Sequence, residues 1–417
     1  MIPLISADTR RVLGLIAQRA SGQLAVFVSS LYVVKLVQPE TYATLGLYAS
    51  LCSLLSIAMA LRLDNRALVC RTEEGRERYI GLAYLCSTVL FMVGTMIVLV
   101  ASLVIQVPLW LMLLPAGVFL NSLVLAVIPS QHSSYSDLSR VGRMTQIVSV
   151  STALLQIVGA ALSPTAVALV GSRIVSAGLG ASTMYECVLR GYRSARSLSW
   201  RVARRMLIAS RKEIFFGMPA SVISVIELQT AVYVFSLYKL HHSVGLYWLS
   251  FNLLFVPYLV VSSSLRPVML KAIAKRRGRT DMPSFMVKLL CAFSIGGAFA
   301  VAAMVAASWM VVDMLIGGEW SGASSFSLLL GISLLPMIAK TPFVIGSPAL
   351  GLQRLNLLFG LFQVGVRVAS LSASLSSGMG PVHALGIMVA LSFAVDAVYI
   401  CLALRSTQLE TTSTSRV

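Results

Sequence analysis

"YIGLAYLCSTVLFMVGTMIVLVASLVIQVPLWLMLLPAGVFLNSLVLAVIPSQHSSYS", residues 79–136, contains no Asp, Glu, Lys or Arg. A helix needs about 20 apolar residues to cross the hydrocarbon of a bilayer, so this stretch is long enough for two crossings. The turn between them falls at "QVP" (106–108), where proline stops one helix and starts the next. Residues 144–172, 289–312 and 368–395 are also free of those four residue types. The segments are too long, and too rich in Leu, Ala, Met and Gly, for the alternating strands of a barrel.

Composition points the same way. Hydrophobic residues make up 57% of the 417 and charged residues only 12%, about half the charge of a soluble domain. The pattern predicts an all-α polytopic membrane protein with about twelve spans. They run near 12–34, 42–62, 79–104, 108–129, 144–163, 165–186, 214–238, 244–266, 288–312, 325–347, 356–377 and 380–404. The first segment lacks a small-residue cleavage site and reads as a retained helix. The six cysteines have no paired spacing, and the four histidines cluster only at His241–His242. Packed thiols are expected, with no disulfide, metal or cofactor.

The basic residues set the orientation. Outside the spans, every Lys and Arg except Lys35 and Lys239 falls on the side of the two termini, with Arg62 counted in its loop. The positive-inside rule therefore places both termini in the cytoplasm. The net charge of +18 is mostly this asymmetry and does not indicate nucleic acid. One cytoplasmic loop, "RGYRSARSLSWRVARRMLIASRK" (190–212), spaces Leu198, Val202 and Met206 four apart among arginines. That is the pattern of an amphipathic helix lying on an anionic leaflet, so anionic membrane lipids are expected partners. The loop also divides the chain. The expected organisation is an N-lobe over 1–189, a basic linker over 190–213, a C-lobe over 214–404 and a tail over 405–417, with six spans in each lobe.

The halves carry a weak repeat. In 29–62 and in 235–266, S-L-Y closes one span, G-L-Y opens the next and L-R closes it. Both copies rise from the cytoplasm, so the repeat is parallel, an arrangement known in transporters. Arg62 and Arg266 become twins at the cytoplasmic ends of spans 2 and 8, with Pro267 expected to break the helix after Arg266.

Charges inside spans are costly unless they face a cavity or a partner. Arg19, Arg173, Lys340 and Arg367 lie inside spans 1, 6, 10 and 11. With Arg62 and Arg266 they form the expected cationic, substrate-binding lining, suited to phosphate or carboxylate. Arg62 and Arg266 also fit a simpler role as interfacial anchors. Glu227 and Asp396, inside spans 7 and 12, are either countercharges to these cations or protonatable coupling groups. Neither a phosphate-cradling glycine loop nor a catalytic motif is evident, so no enzymatic activity is expected.

Several phrases carry a family resemblance. "GLIAQRASGQ" (14–23) with "LVQPETYATLGLYAS" (36–50) resembles the opening of lipid-linked oligosaccharide flippases. "RKEIFFGMPASVISVIE" (211–227) resembles the start of their second half. "VGLYWLSFNLLFVPYLVVSSSLRPVML" (244–270) and "MLIGGEWSGASSFSLLLGISLLP" (314–336) look like their eighth helix and their ninth-to-tenth junction. These are the Wzx-type polysaccharide-biosynthesis proteins of the multidrug/oligosaccharidyl-lipid/polysaccharide exporter (MOP) superfamily, whose fold is MATE-like. The resemblance implies a bacterial inner-membrane flippase with two six-helix lobes. It would carry an undecaprenyl-pyrophosphate-linked oligosaccharide repeat unit to the periplasmic leaflet by alternating access, for surface polysaccharide synthesis, with polymerase or export proteins as partners. Arg19, Arg62 and Arg266 match places where such families carry arginine. The alternatives are a small-molecule exporter of the same superfamily and a polysaccharide polymerase or ligase.

Overall fold

The structure is a computed structural model that describes residues 7–70, 72–131, 135–211, 213–276 and 281–414. Side chains at 7–20, 135–139, 266–268, 409–414 and some single positions lie outside that description, including those of Arg19 and Arg266. Among the described residues the regular structure is helical throughout. The chain divides into two compact units, Met1–Val225 and Ile226–Val417.

The first unit contains α1 (Ala7–Leu36), α2 (Pro39–Met59), α3 (Leu63–Val69) and α4 (Glu73–Val104). The short helices α5 (Leu109–Met112), α6 (Leu114–Ser122) and α7 (Ile128–Gln131) follow, the last two joined by a π-helical turn. Next come α8 (Tyr135–Leu162), α9 (Ala166–Thr183), α10 (Tyr185–Ser197) and α11 (Trp200–Ala209). Local chemistry sets several starts. Pro39 opens α2, where a missing N–H costs nothing. The Thr72 side chain accepts from Gly75 N–H at 3.2 Å to cap α4. Helix α1 packs on α8, α8 on α9, α2 on α6, and α10 along α4.

Helix α12 (Met218–Leu237) carries the chain from the first unit into the second. The second unit continues with α13 (His241–Arg276), α14 (Met282–Met310), α15 (Ala323–Leu350), α16 (Gln353–Ser376) and α17 (Pro381–Thr414). Helix α15 is its centre: the most apolar stretch of Gly318–Ser347 is 61% buried, and α15 packs on α13, α14 and α17. The corresponding stretch of α4 is only 6% buried. Met92, Met96, Ile97 and Leu103 point outward there, as lipid-facing residues do.

Ten helices among the described residues are long and apolar enough to cross a membrane. Helices α1 and α13 occupy the other two expected spans. The chain is thus a multi-pass, all-helical membrane protein.

Three expectations need correction. Pro267 does not break the helix after Arg266, because α13 runs on to Arg276. A membrane helix tolerates an internal proline when neighbours re-satisfy the freed carbonyl. Arg62 does not close α2 either. That helix ends at Met59, and both Leu61 and Arg62 take left-handed backbone, at φ 48° and 56°. The two arginines are therefore not structural twins. Finally, the apolar stripe of 198–206 does not face lipid. Leu198, Met206 and Leu207 pack against a protein core that includes Leu63, Ile80, Leu123 and Ala203.

Candidate functional site

Among the described residues, each unit brings polar side chains together on helices long and apolar enough to span a membrane. In the second unit, α12, α15, α16 and α17 contribute one charged side chain each. Lys340 Nζ donates to Glu227 Oε1 at 3.1 Å and to Asp396 Oδ1 at 2.7 Å. Arg367 Nη1 donates to the Glu227 backbone carbonyl at 2.5 Å, and its Nη2 stands 3.7 Å from Glu227 Oε1. Arg367 is 5% exposed and Asp396 is 3% exposed. Burying these charges is affordable only because they neutralise one another, two cations against two carboxylates. The formal charges of the four side chains sum to zero.

Polar side chains extend the centre along the α16–α17 seam. Gln363 lies four residues before Arg367, and Ser392 lies four before Asp396, so each pair shares a helix face. Gln363 Nε2 donates to the Ser392 carbonyl at 3.2 Å. Asp396 Oδ2, Gln363 Oε1 and Ser392 Oγ are buried without a hydrogen-bond partner among the described residues. Near Lys340, Thr341 and Tyr258 share a hydroxyl–hydroxyl bond at 2.9 Å. The sequence reading missed Gln363, Ser392, Thr341 and Tyr258. For Gln363, Ser392 and Thr341 the signal was a polar residue next to a charge or one helical turn before it; Tyr258, in a charge-free run, carried no such signal.

The first unit is built differently. Arg173, half-buried on α9, lies within electrostatic reach of Tyr48 and Cys52 on α2. Tyr48 is buried because Gly117 on α6 leaves room for its hydroxyl: a Cβ at residue 117 would lie 1.7 Å from Tyr48 Oη. One turn along α2, Ser56 accepts from Asn121 Nδ2 at 3.0 Å and donates to the Cys52 carbonyl at 2.5 Å. Arg173 forms no ion pair among the described residues, and its Nε has no hydrogen-bond partner there. An intramembrane guanidinium without a carboxylate is the arrangement expected where a cavity admits an anion.

Of the residues singled out from the sequence, the structure brings Glu227, Lys340, Arg367 and Asp396 together. Arg173 stands in the first unit. Arg62, in the same unit, has Nη1 3.9 Å from Asp64 Oδ2. Arg19 lies on α1 and Arg266 inside α13 by backbone alone, their side chains being outside the described residues. The two tyrosines of the repeated G-L-Y, Tyr48 and Tyr247, are each buried within their own unit.

No family model matches this chain, and no curated protein matches it either. Solved structures do. An outward-facing multidrug resistance MATE family transporter of the MOP superfamily is 14% identical, with 98% of this chain and 97% of that one aligned at a TM-score of 0.67. An inward-facing MATE family transporter of the same superfamily, also 14% identical, aligns over 100% of this chain and 97% of that one at 0.56. A eukaryotic MATE transporter is 12% identical and covers 98% and 99% at 0.58. Over nearly its whole length, then, the chain has a MATE-type fold.

Proposed function

We propose that the chain is a transporter working by alternating access and that its cargo is anionic: an oligosaccharide repeat unit on undecaprenyl pyrophosphate, moved from the cytoplasmic to the periplasmic leaflet of a bacterial inner membrane. The observation that carries this reading is Arg173, a half-buried guanidinium on a membrane helix with no carboxylate paired to it among the described residues. Diphosphate oxygens match its fork. Lys340 and Arg367 are balanced by Glu227 and Asp396 and are assigned to holding the second unit together. The MATE-type fold and the resemblance of four sequence stretches to lipid-linked oligosaccharide flippases support the same reading. Termini in the cytoplasm, and polymerase or export partners, belong with it.

The test is deletion of the gene followed by complementation. Lipid-linked repeat units accumulate on the cytoplasmic leaflet and surface polysaccharide falls. Wild type restores export, Arg173→Lys restores it in part and Arg173→Ala does not. Full-length polysaccharide persisting with no other flippase present defeats the reading.

A second reading, a small-molecule exporter, is favoured by the buried carboxylates of Glu227 and Asp396 and by the likeness to multidrug resistance transporters. It predicts raised sensitivity to cationic drugs on deletion, with polysaccharide unchanged.

A further inference from the structure

The basic segment between α9 and α12 presents two faces, and the structure assigns them opposite partners. The apolar face of α11 is occupied by protein. Ala203 is 2% exposed in a core shared with Leu63, Ala67, Ile80 and Leu82, and Leu198, Met206 and Leu207 pack onto it. Arg66 on α3 fastens the far end, its Nη2 donating to the Ala209 carbonyl at 3.0 Å. The opposite face carries Trp200, Arg201, Arg204, Arg205 and Ile208, all exposed, Trp200 at 74%. Steps of three and four residues place these side chains on one side of the helix. Arg201, Arg204 and Arg205 form no ion pair or hydrogen bond among the described residues.

Helix α11 also sits at a definite depth. It shares a core with Ile80, Leu82 and Ala83 of α4, where α4 passes from the charged Glu73–Arg78 into the charge-free run beginning at residue 79. That change marks the entry of the span into hydrocarbon. Trp200 therefore lies at the level of the headgroups, where tryptophan rings are enriched. Phe215 and Phe216, at the start of the next span, are exposed as well. No carboxylate occurs between Glu186 and Glu213. The nearest acids on α4 are Glu73, Glu74 and Glu77, of which Glu74 is paired with Arg78.

We propose that α11 is a headgroup clamp. Arg201, Arg204 and Arg205 bind the phosphates of anionic phospholipids in the adjoining leaflet, with Trp200 and Ile208 seated among the headgroups, while the apolar stripe holds the helix to the first unit. The occupant is anionic bilayer lipid, because guanidinium forks match phosphate oxygens and the exposed face carries cations with no acid among them. The inference depends on the chain spanning a bilayer and is independent of the cargo. Persistence of full-length polysaccharide in the preceding test would leave it untouched, and its own failure would leave the transport reading intact.

The experiment uses the full chain in nanodiscs of one fixed phosphatidylglycerol–phosphatidylcholine mixture, with bromine carried either by the phosphatidylglycerol or by the phosphatidylcholine. The signal of Trp200 is the difference between wild type and Trp200→Phe. At equal bromine content, quenching of Trp200 by brominated phosphatidylglycerol should exceed that by brominated phosphatidylcholine. The preference should fall roughly five-fold per arginine removed and vanish in Arg201→Gln/Arg204→Gln/Arg205→Gln and in high salt. These exposed, unpaired side chains can be replaced without loss of the fold, checked by an unchanged unfolding midpoint in detergent. Three outcomes overturn the proposal: equal quenching by both lipids, a phosphatidylglycerol preference that survives the triple replacement, or no quenching by either. The last would turn this face to water or to a protein.

Discussion

Lys340 shows what a single residue does in this protein. Its ammonium bridges carboxylates that lie 113 and 56 residues away in the chain. Lys340→Met leaves Glu227 and Asp396 buried with their charge reduced to one partner, Arg367. Removing one partner from a buried ion cluster costs about 3–5 kcal/mol. A markedly lower unfolding midpoint in detergent is expected, and Lys340→Met/Asp396→Asn, which leaves the Glu227–Arg367 pair neutral, should regain most of the loss. If the single variant unfolds like wild type, the cluster is not a structural clasp. Arg62 makes a different case. Its left-handed backbone at φ 56° is a conformation that glycine adopts freely and other residues at a cost of roughly 1–2 kcal/mol. Arg62→Gly should hold or raise stability while lowering export if the guanidinium meets cargo. Unchanged export would leave it a loop residue. At this scale the sequence displayed each charge as an anomaly inside an apolar span. It did not display the pairings, because ion partners are chosen by helix packing and not by spacing along one chain.

Elements depend on close fits that composition does not reveal. Helices α2 and α6 meet where Tyr48 fills the space over Gly117. Gly117→Ala drives a methyl into the phenol and should cost about 1–3 kcal/mol by overpacking. Adding Tyr48→Phe removes the clashing hydroxyl and should recover part of that, measured as a coupling in a double-mutant cycle of unfolding midpoints. Strict additivity would mean the helices separate instead. Gly81 plays a related part where α10 lies along α4. A Cβ there would stand 2.7 Å from the Ser194 carbonyl carbon and 2.8 Å from the Ala195 nitrogen. Backbone cannot yield as a side chain does, so Gly81→Ala should loosen α10 and raise protease cleavage within 190–211. The four-residue period of Leu198, Val202 and Met206 was readable from the sequence, but its solvent was not. An apolar stripe is the same whether lipid or protein covers it, and here the core around Ile80 and Leu123 covers it.

For the whole molecule, orientation gives the sharpest forecast. With the native cysteines replaced by serine, a cysteine at position 239 should react with an impermeant maleimide added outside intact cells. One at position 196 should react only after permeabilisation. The reverse pattern would invert the topology read from the basic loops. What the sequence determined by itself is which stretches cross lipid, roughly where they begin, and which loops carry the positive charge. Those properties are sums over about 20 neighbouring residues and need no knowledge of packing. Tertiary structure alone decided that Lys340 and Arg367 are balanced by Glu227 and Asp396 while Arg173 has no such partner among the described residues. It decided as well that α13 runs through Pro267 while α2 stops at Met59, and that the arginines of α11 face outward from the first unit. Each of these depends on which side chains a fold brings within a few ångströms from distant parts of the chain, and pairwise contact at that range leaves no periodic trace in one sequence.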